Sequence, residues 1–217
     1  MKHSAPSLPR RRAVRLGLVL TPVLAVALGT SVIWQTSYAA FTATTTNGVN
    51  NWNSGGVTLV DDDGSNGGTG LAMFNVSNLK PGMSGEKCIV VTGGGSLAGE
   101  VKLYGTGYTT SKPGTADALA ASIDLSITKG TGGSFGGGCG TFSPDPTTPN
   151  TFTGTLAAFS ARNSYSTAGT TLWTTTPNAD TSRTFKFNYT LKSDAPTGSQ
   201  NGNASITFVW ESQNTAP

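Results

Sequence analysis

Side chains able to do chemistry are scarce in this 217-residue chain, and their positions narrow what chemistry is open to it. The single histidine is His3, the two cysteines are Cys88 and Cys139, and the densest acidic run is Asp61-Asp62-Asp63. A catalytic zinc centre takes three protein ligands, a water and a nearby general base. One terminal histidine and two distant cysteines do not supply that set, and no His-Glu-x-x-His pattern occurs. Consecutive carboxylates beside Gly64, Ser65 and Asn66 suit an oxygen-seeking cation, so calcium is conceivable at Asp61, Asp62 and Asp63, and no other cofactor is expected. The spacing fails an EF-hand loop, because the sixth position from Asp61 is Asn66 and the twelfth is Ala72. The plain alternative is a solvated acidic loop.

The first forty residues read as an address. Arg10, Arg11, Arg12 and Arg15 precede a mostly apolar stretch from Leu16 to Ile33, and Ser37-Tyr38-Ala39-Ala40 offers the small residues a signal peptidase reads. Cleavage is expected between Ala40 and Phe41. An uncleaved anchor is the alternative, since about eighteen apolar residues can span a bilayer; Thr21-Pro22 and Gly29-Thr30-Ser31 interrupt the stretch. Arg10-Arg11-Arg12 superficially suggests twin-arginine export, but Ala13-Val14-Arg15 fits that consensus poorly. Either way the positive flank stays inside and the rest is carried out, so the membrane is met only through the leader. Removing the leader removes His3, and a chain without histidine lacks the usual general base near neutral pH. An enzyme is therefore not expected.

Charge changes with the leader. It holds Lys2 and the four arginines and no acid, which leaves nine basic against eleven acidic residues from position 41 onward, a net charge of −2. No basic patch remains to recruit nucleic acid. Export also bears on the cysteines. An even pair in an oxidising compartment points to a Cys88–Cys139 disulfide, which would tie the loop after Gly136-Gly137-Gly138 to a strand. Two independent buried thiols are the alternative.

These residues must be positioned by a domain low in charge and rich in Gly, Thr, Ser and Asn, with β-branched and aromatic residues in short runs, which reads as all-β. Strands are expected at Val57–Val60, Leu71–Val76, Lys87–Thr92, Glu100–Tyr104 and Ile123–Thr128. Thr184–Leu191 alternates Phe185, Phe187, Tyr189 and Leu191 against polar residues, and Ala204–Glu211 alternates Ala204, Ile206, Phe208 and Trp210. Turn chemistry from Asp194 to Asn203 predicts that these last two strands pair as a loose hairpin, each with one wet face. Thr115–Ser122 and Thr155–Ala161 are the two short helices. The sum is a jelly-roll or Ig-like β-sandwich with one or two inserted helices, preceded by a signal helix. Its organisation is a leader over 1–40, an extended segment over 41–56 and the sandwich over 57–217.

Several motifs in order resemble a known family. Ala40-Phe41-Thr42-Ala43 at the processing site, Trp52-Asn53-Ser54-Gly55-Gly56-Val57-Thr58-Leu59, the acidic Asp61-Asp62-Asp63-Gly64, and Phe74-Asn75-Val76-Ser77-Asn78-Leu79-Lys80-Pro81-Gly82 are similar to the TasA/camelysin (CalY) family. These are bacterial exported proteins with a SipW-type signal peptide. Gly95-Ser96-Leu97 before Val101–Tyr104 extends the resemblance, which covers Thr30 to Trp210; Met83 departs from it, where the family often has an acidic residue. The resemblance implies a secreted or cell-surface subunit of extracellular-matrix fibres in a biofilm. Its partners would be itself or related matrix subunits, besides the signal peptidase during export. In such fibres the N-terminal segment of one subunit adds as a strand to the next. Here that segment is Phe41, Thr42, Ala43, Thr44, Thr45 and Thr46, which is uncharged and β-prone; its alternative is the first strand of its own sandwich. The camelysin label implies a metallopeptidase, for which this mature chain offers no histidine.

Weaker signals remain. Asn75-Val76-Ser77, Asn188-Tyr189-Thr190 and Asn203-Ala204-Ser205 match the glycosylation triplet but fall in expected strands, and are taken as chance. Trp52, Trp173 and Trp210 with Tyr104, Tyr108 and Tyr165 would make a carbohydrate-binding surface module if several were exposed on one face, and core if buried. The glycine runs lack the Lys-Ser/Thr and helix of a phosphate loop. Thr131–Thr153, with three prolines, is expected to be the longest irregular stretch.

Overall fold

The computed structural model describes residues 42–45, 55–64 and 70–215, all within the unit that runs from Phe41 to Pro217. The leader, the cleavage residues Ala39, Ala40 and Phe41, and Thr46 and Trp52 lie outside the described residues.

Among the described residues ten strands form two antiparallel sheets. In chain order they are β1 (Thr42–Thr45), β2 (Val57–Asp61), β3 (Ser84–Gly95), β4 (Gly99–Thr110), β5 (Ile123–Thr131), β6 (Ser143–Pro144), β7 (Asn150–Thr155), β8 (Trp173–Thr174), β9 (Thr181–Leu191) and β10 (Ala204–Asn214). One sheet runs β1-β10-β4-β8; the other runs β2-β3-β9-β5-β6, with β7 also paired to β5. Among the described residues two single-turn helices, α1 (Leu119–Ser122) and α2 (Leu156–Phe159), are shorter than their sequence windows suggest. Thr155 caps α2 by accepting from the Ala158 amide at 3.1 Å.

The two alternating strands at the C-terminal end build the core between the sheets. Phe185 and Phe187 of β9 are fully buried and face β10, where Phe187 meets Phe208 at 4.7 Å between ring centroids and Phe185 meets Trp210 at 5.6 Å. Leu59, Ile89, Val91, Val101, Leu103, Leu125 and Ile127 complete the same cluster. On the other face of β9, Lys186 pairs with Glu86 at 2.6 Å, as period-two alternation requires.

Four expectations are corrected here. β9 and β10 do not form a hairpin pair: they lie in different sheets, and residues 192–203 carry the chain across through a turn at Thr197–Ser199. Alternation identifies one apolar face per strand, and two such faces are satisfied by stacking as well as by pairing. The outer face of β10 is not wet throughout, because Val209 is buried against Tyr104 and Ala168, and Glu211 is buried beside the Tyr104 hydroxyl. Leu71–Val76 is not a strand, so Asn75 leaves its expected element. Its apolar side chains cover the edge of the sandwich, with Met73 and Phe74 packed on the core. Thr131–Thr153 is less irregular than expected. β6 and β7 pair with β5, and the buried Lys129 ammonium donates to the Leu172 carbonyl at 2.8 Å and the Thr148 hydroxyl at 3.0 Å.

Cys88 and Cys139 are joined as a disulfide with a Cα–Cα distance of 5.4 Å across a separation of 51 residues. Cys88 is wholly buried in β3, so the bridge fastens the glycine-rich loop to the centre of a sheet. Closing a loop of that length restrains the unfolded chain by about 4 kcal/mol. The double variant C88A/C139A is expected to lose about that much unfolding free energy, read as a lower urea midpoint; a midpoint unchanged from the oxidised parent would contradict the assignment.

Candidate functional site

Among the described residues, β1 covers only part of the outer edge of β10. β1 pairs there antiparallel, placing Thr42 opposite Gln213, Ala43 opposite Ser212, Thr44 opposite Glu211 and Thr45 opposite Trp210. β10 has eleven residues, and β4 accompanies it almost from end to end on the other side. Among the described residues no strand pairs with the outer edge of Ala204–Phe208. An unpaired edge exposes backbone donors and acceptors, which another extended segment satisfies readily.

A cavity of about 440 Å³ runs beside Ala204–Phe208. All five residues from Ala204 to Phe208 line it, and successive side chains of a strand point to opposite faces, so the cavity follows the backbone edge and not one face alone. Ile123, Leu125 and Tyr189 of the opposite sheet form its floor, and none of its lining residues is charged. Its roof is the irregular segment 70–79. Phe74 meets the Tyr189 ring edge-on at 5.0 Å, whereas Leu71 is 62% exposed and Val76 40%. The roof is tied at both ends: the Leu71 amide donates to Asp63 Oδ2 at 3.1 Å, and after the Pro81-Gly82 turn the Gly82 amide donates to the Leu191 carbonyl at 2.7 Å.

The acidic run supplies the first of these ties, and it is not a solvated loop. Asp62 accepts from the Val90 amide through Oδ1 at 2.7 Å and from the Phe135 amide through Oδ2 at 2.8 Å, linking β3 to the disulfide loop. Asp63 is 3% exposed, and its own amide donates to Asp61 Oδ1 at 3.3 Å. Burial pushes the Asp61 carboxyl up to about 7, helped by a hydrogen bond with Asp63 and repulsion from Asp63 and Asp62. Among the described residues, no group of three or more His, Cys, Asp or Glu side chains is placed to hold a metal ion.

Beyond Trp210 the buried end of β10 is anchored by polar contacts. The Tyr104 hydroxyl donates to Glu211 Oε2 at 2.7 Å, and burial with that contact raises the phenol well above its ordinary range. Tyr165 donates to the Glu100 carbonyl at 2.9 Å, and its phenol is pushed up to about 12, first by burial and then by Glu100 and Glu211. The aromatics proposed as a sugar-stacking platform do not share an exposed face: Trp173, Trp210 and Tyr104 are buried, and Tyr108 and Tyr165 are half-buried against the two hydrophobic clusters.

No family model matches the chain, and no curated protein matches it. Among the described residues no helix is long and apolar enough to cross a membrane, and the disulfide is compatible with an extracellular protein.

The segment singled out as a donor strand, Phe41 to Thr46, pairs over Thr42–Thr45 with the chain's own β10, as its alternative reading had it; sequence reasoning singled out the cysteines and the acidic run, but missed the groove. The available signal was the mismatch between a long apolar β10 and a short N-terminal partner.

The raised Asp61 carboxyl has a definite pH signature. Its folded value of about 7 exceeds the ordinary 3.8, so between those values the folded chain holds a proton that the unfolded chain releases. That stability is complete below about pH 4 and is lost as pH rises through about 7. Urea unfolding is expected to show a decline of about 1–2 kcal/mol from pH 5 to pH 8, after allowance for solvent screening. Asp61→Asn should flatten it; an equal decline in that variant would exclude Asp61 as its source.

Proposed function

We propose that the chain is a secreted or cell-surface structural protein, a matrix fibre subunit that assembles by strand addition. The observation that carries this reading is β1 itself: a four-residue edge strand that pairs antiparallel with β10 and precedes the rest of the sandwich in the chain. The pairing it makes with its own β10 can be made with the β10 of another copy, because backbone groups are the same in both. The strand-prone segment Phe41–Thr46 carries no charge to oppose such a transfer. A jelly-roll type of sandwich within the TasA/camelysin family fits this use, with the leader directing export and a signal peptidase freeing Phe41. The partner would be a second copy or a related matrix subunit. No arrangement among the described residues favours the camelysin-like peptidase.

Electron microscopy of concentrated protein beginning at Phe41 is expected to show filaments, and protein lacking Phe41 to Thr46 is expected to show none while keeping its thermal transition. Excess synthetic peptide of Phe41 to Thr46 should halt growth of the longer form. Monomers from both forms would overturn the reading.

A further inference from the structure

We propose that the cavity beneath residues 70–79 is a binding site for the hydrocarbon tail of a single-chain amphiphile, whose polar end stays in water at the mouth. This goes beyond strand addition and rests on none of its premises.

The walls follow from period-two alternation. Ala204, Ile206 and Phe208 share one face of β10, Leu125 and Tyr189 stand on the opposite sheet, and Phe74 closes the space from above. No charged side chain lines it. A water molecule held inside a protein needs about two to four polar partners, which aliphatic walls do not supply; voids of that kind stay dry and take up apolar molecules. The sheets are held by backbone pairing, whereas residues 70–79 contribute no strand and rest on the core through contacts such as that of Phe74 with Tyr189 at 5.0 Å. The sheets therefore set the shape of the site, and the roof is the wall that shifts to admit a tail.

Two observations choose the occupant. Size is the first. The 440 Å³ falls within the range of about 300–1,000 Å³ typical of small-molecule sites, and at about 30 Å³ for each water-sized group a chain of about ten to twelve carbons occupies most of it. The second is apolar surface left uncovered at the mouth. Leu71 is 62% exposed and Val76 40%, the two most exposed large apolar side chains among the described residues, and both belong to the lining. Water gains nothing by covering them. A compact apolar molecule held at the bottom would leave them bare, whereas a tail running from the floor to the mouth covers both. Beside them Ser205 and Thr207 are exposed and also line the cavity, so the polar end of the molecule meets hydroxyls and solvent.

The test titrates methyl-labelled protein beginning at Phe41 with dodecanoate and with dodecyltrimethylammonium, each below its micelle concentration, and follows the methyl signals by NMR. Both probes are expected to shift Leu125, Leu156 and Ile206, because their head groups differ in charge and their tails are the same. Affinity is expected to rise about three- to fourfold for each methylene added between octanoate and dodecanoate, as burial of a tail requires. Ala204→Phe fills the cavity from its β10 wall and should weaken dodecanoate binding about tenfold with the thermal transition unchanged or raised. Leu71→Ser, at the exposed rim, should weaken it about threefold and serves as the second variant if Ala204→Phe folds poorly. Unshifted methyls at those three residues, affinity independent of chain length, binding of one probe only, or undiminished binding by both variants would each overturn the inference. Capture of the protein by phosphatidylcholine vesicles without those methyl shifts in dodecanoate would assign Leu71 and Val76 to a bilayer surface and overturn the cavity as a site.

Discussion

Everything described at the edge of this molecule depends on how Phe185 and Phe187 of one sheet seat against Phe208 and Trp210 of the other. Four large aromatics in successive contact bury enough apolar surface to hold two sheets together, each contributing about 2–3 kcal/mol with further gain from offset and edge-on geometry. They fix β10 from its inner face. β4 fixes it from one side, and the Tyr104–Glu211 bond fixes its end from the outer face. With three of its four approaches secured, the strand stays in register whether or not its fourth approach is filled. That separates the stability of the domain from the occupancy of its edge.

The same economy governs the irregular parts. A domain with long loops and few helices must bind those loops by something other than packing, and here carboxylates and a disulfide take that part. Asp62 uses both oxygens to join β3 to the loop that Cys139 anchors, and the loop folds back over the sheet so that Lys87 lies 4.1 Å from the Phe135 ring centre. Asp145 accepts from the Thr147 and Thr148 amides, bonds that hold its carboxyl well below the usual range, and Lys129 at 3.5 Å adds to the effect. Each carboxylate replaces backbone pairing that a strand would have provided.

Much of the architecture was legible in the chain because period-two alternation is a strong local signal. Phe185, Phe187, Phe208 and Trp210 announce both the strands and their inner faces. What alternation does not encode is which strand lies beside which, and so β9 and β10 read as a hairpin although they stack. Leu71–Val76 misled for a related reason: an apolar run marks burial, and burial over the edge of a sandwich needs no pairing. The acidic run was visible as a cluster, but its work lies in contacts with Val90, Phe135 and Leu71, at sequence distances where spacing carries no information. The cysteines were legible because only one pairing was available to them.

The Cys88–Cys139 bridge has a mechanical meaning as well. A pull on the two ends of the domain can draw out β1 and β2 from one side and β9 and β10 from the other, but the 51-residue separation between the bridged sulfurs is closed to extension. Fully stretched, that stretch would span about 170 Å. The bridge withholds this contour length from any load, so the segment carrying most of β3, β4, α1 and β5 behaves as an inextensible block, and only the flanking strands act as its spring.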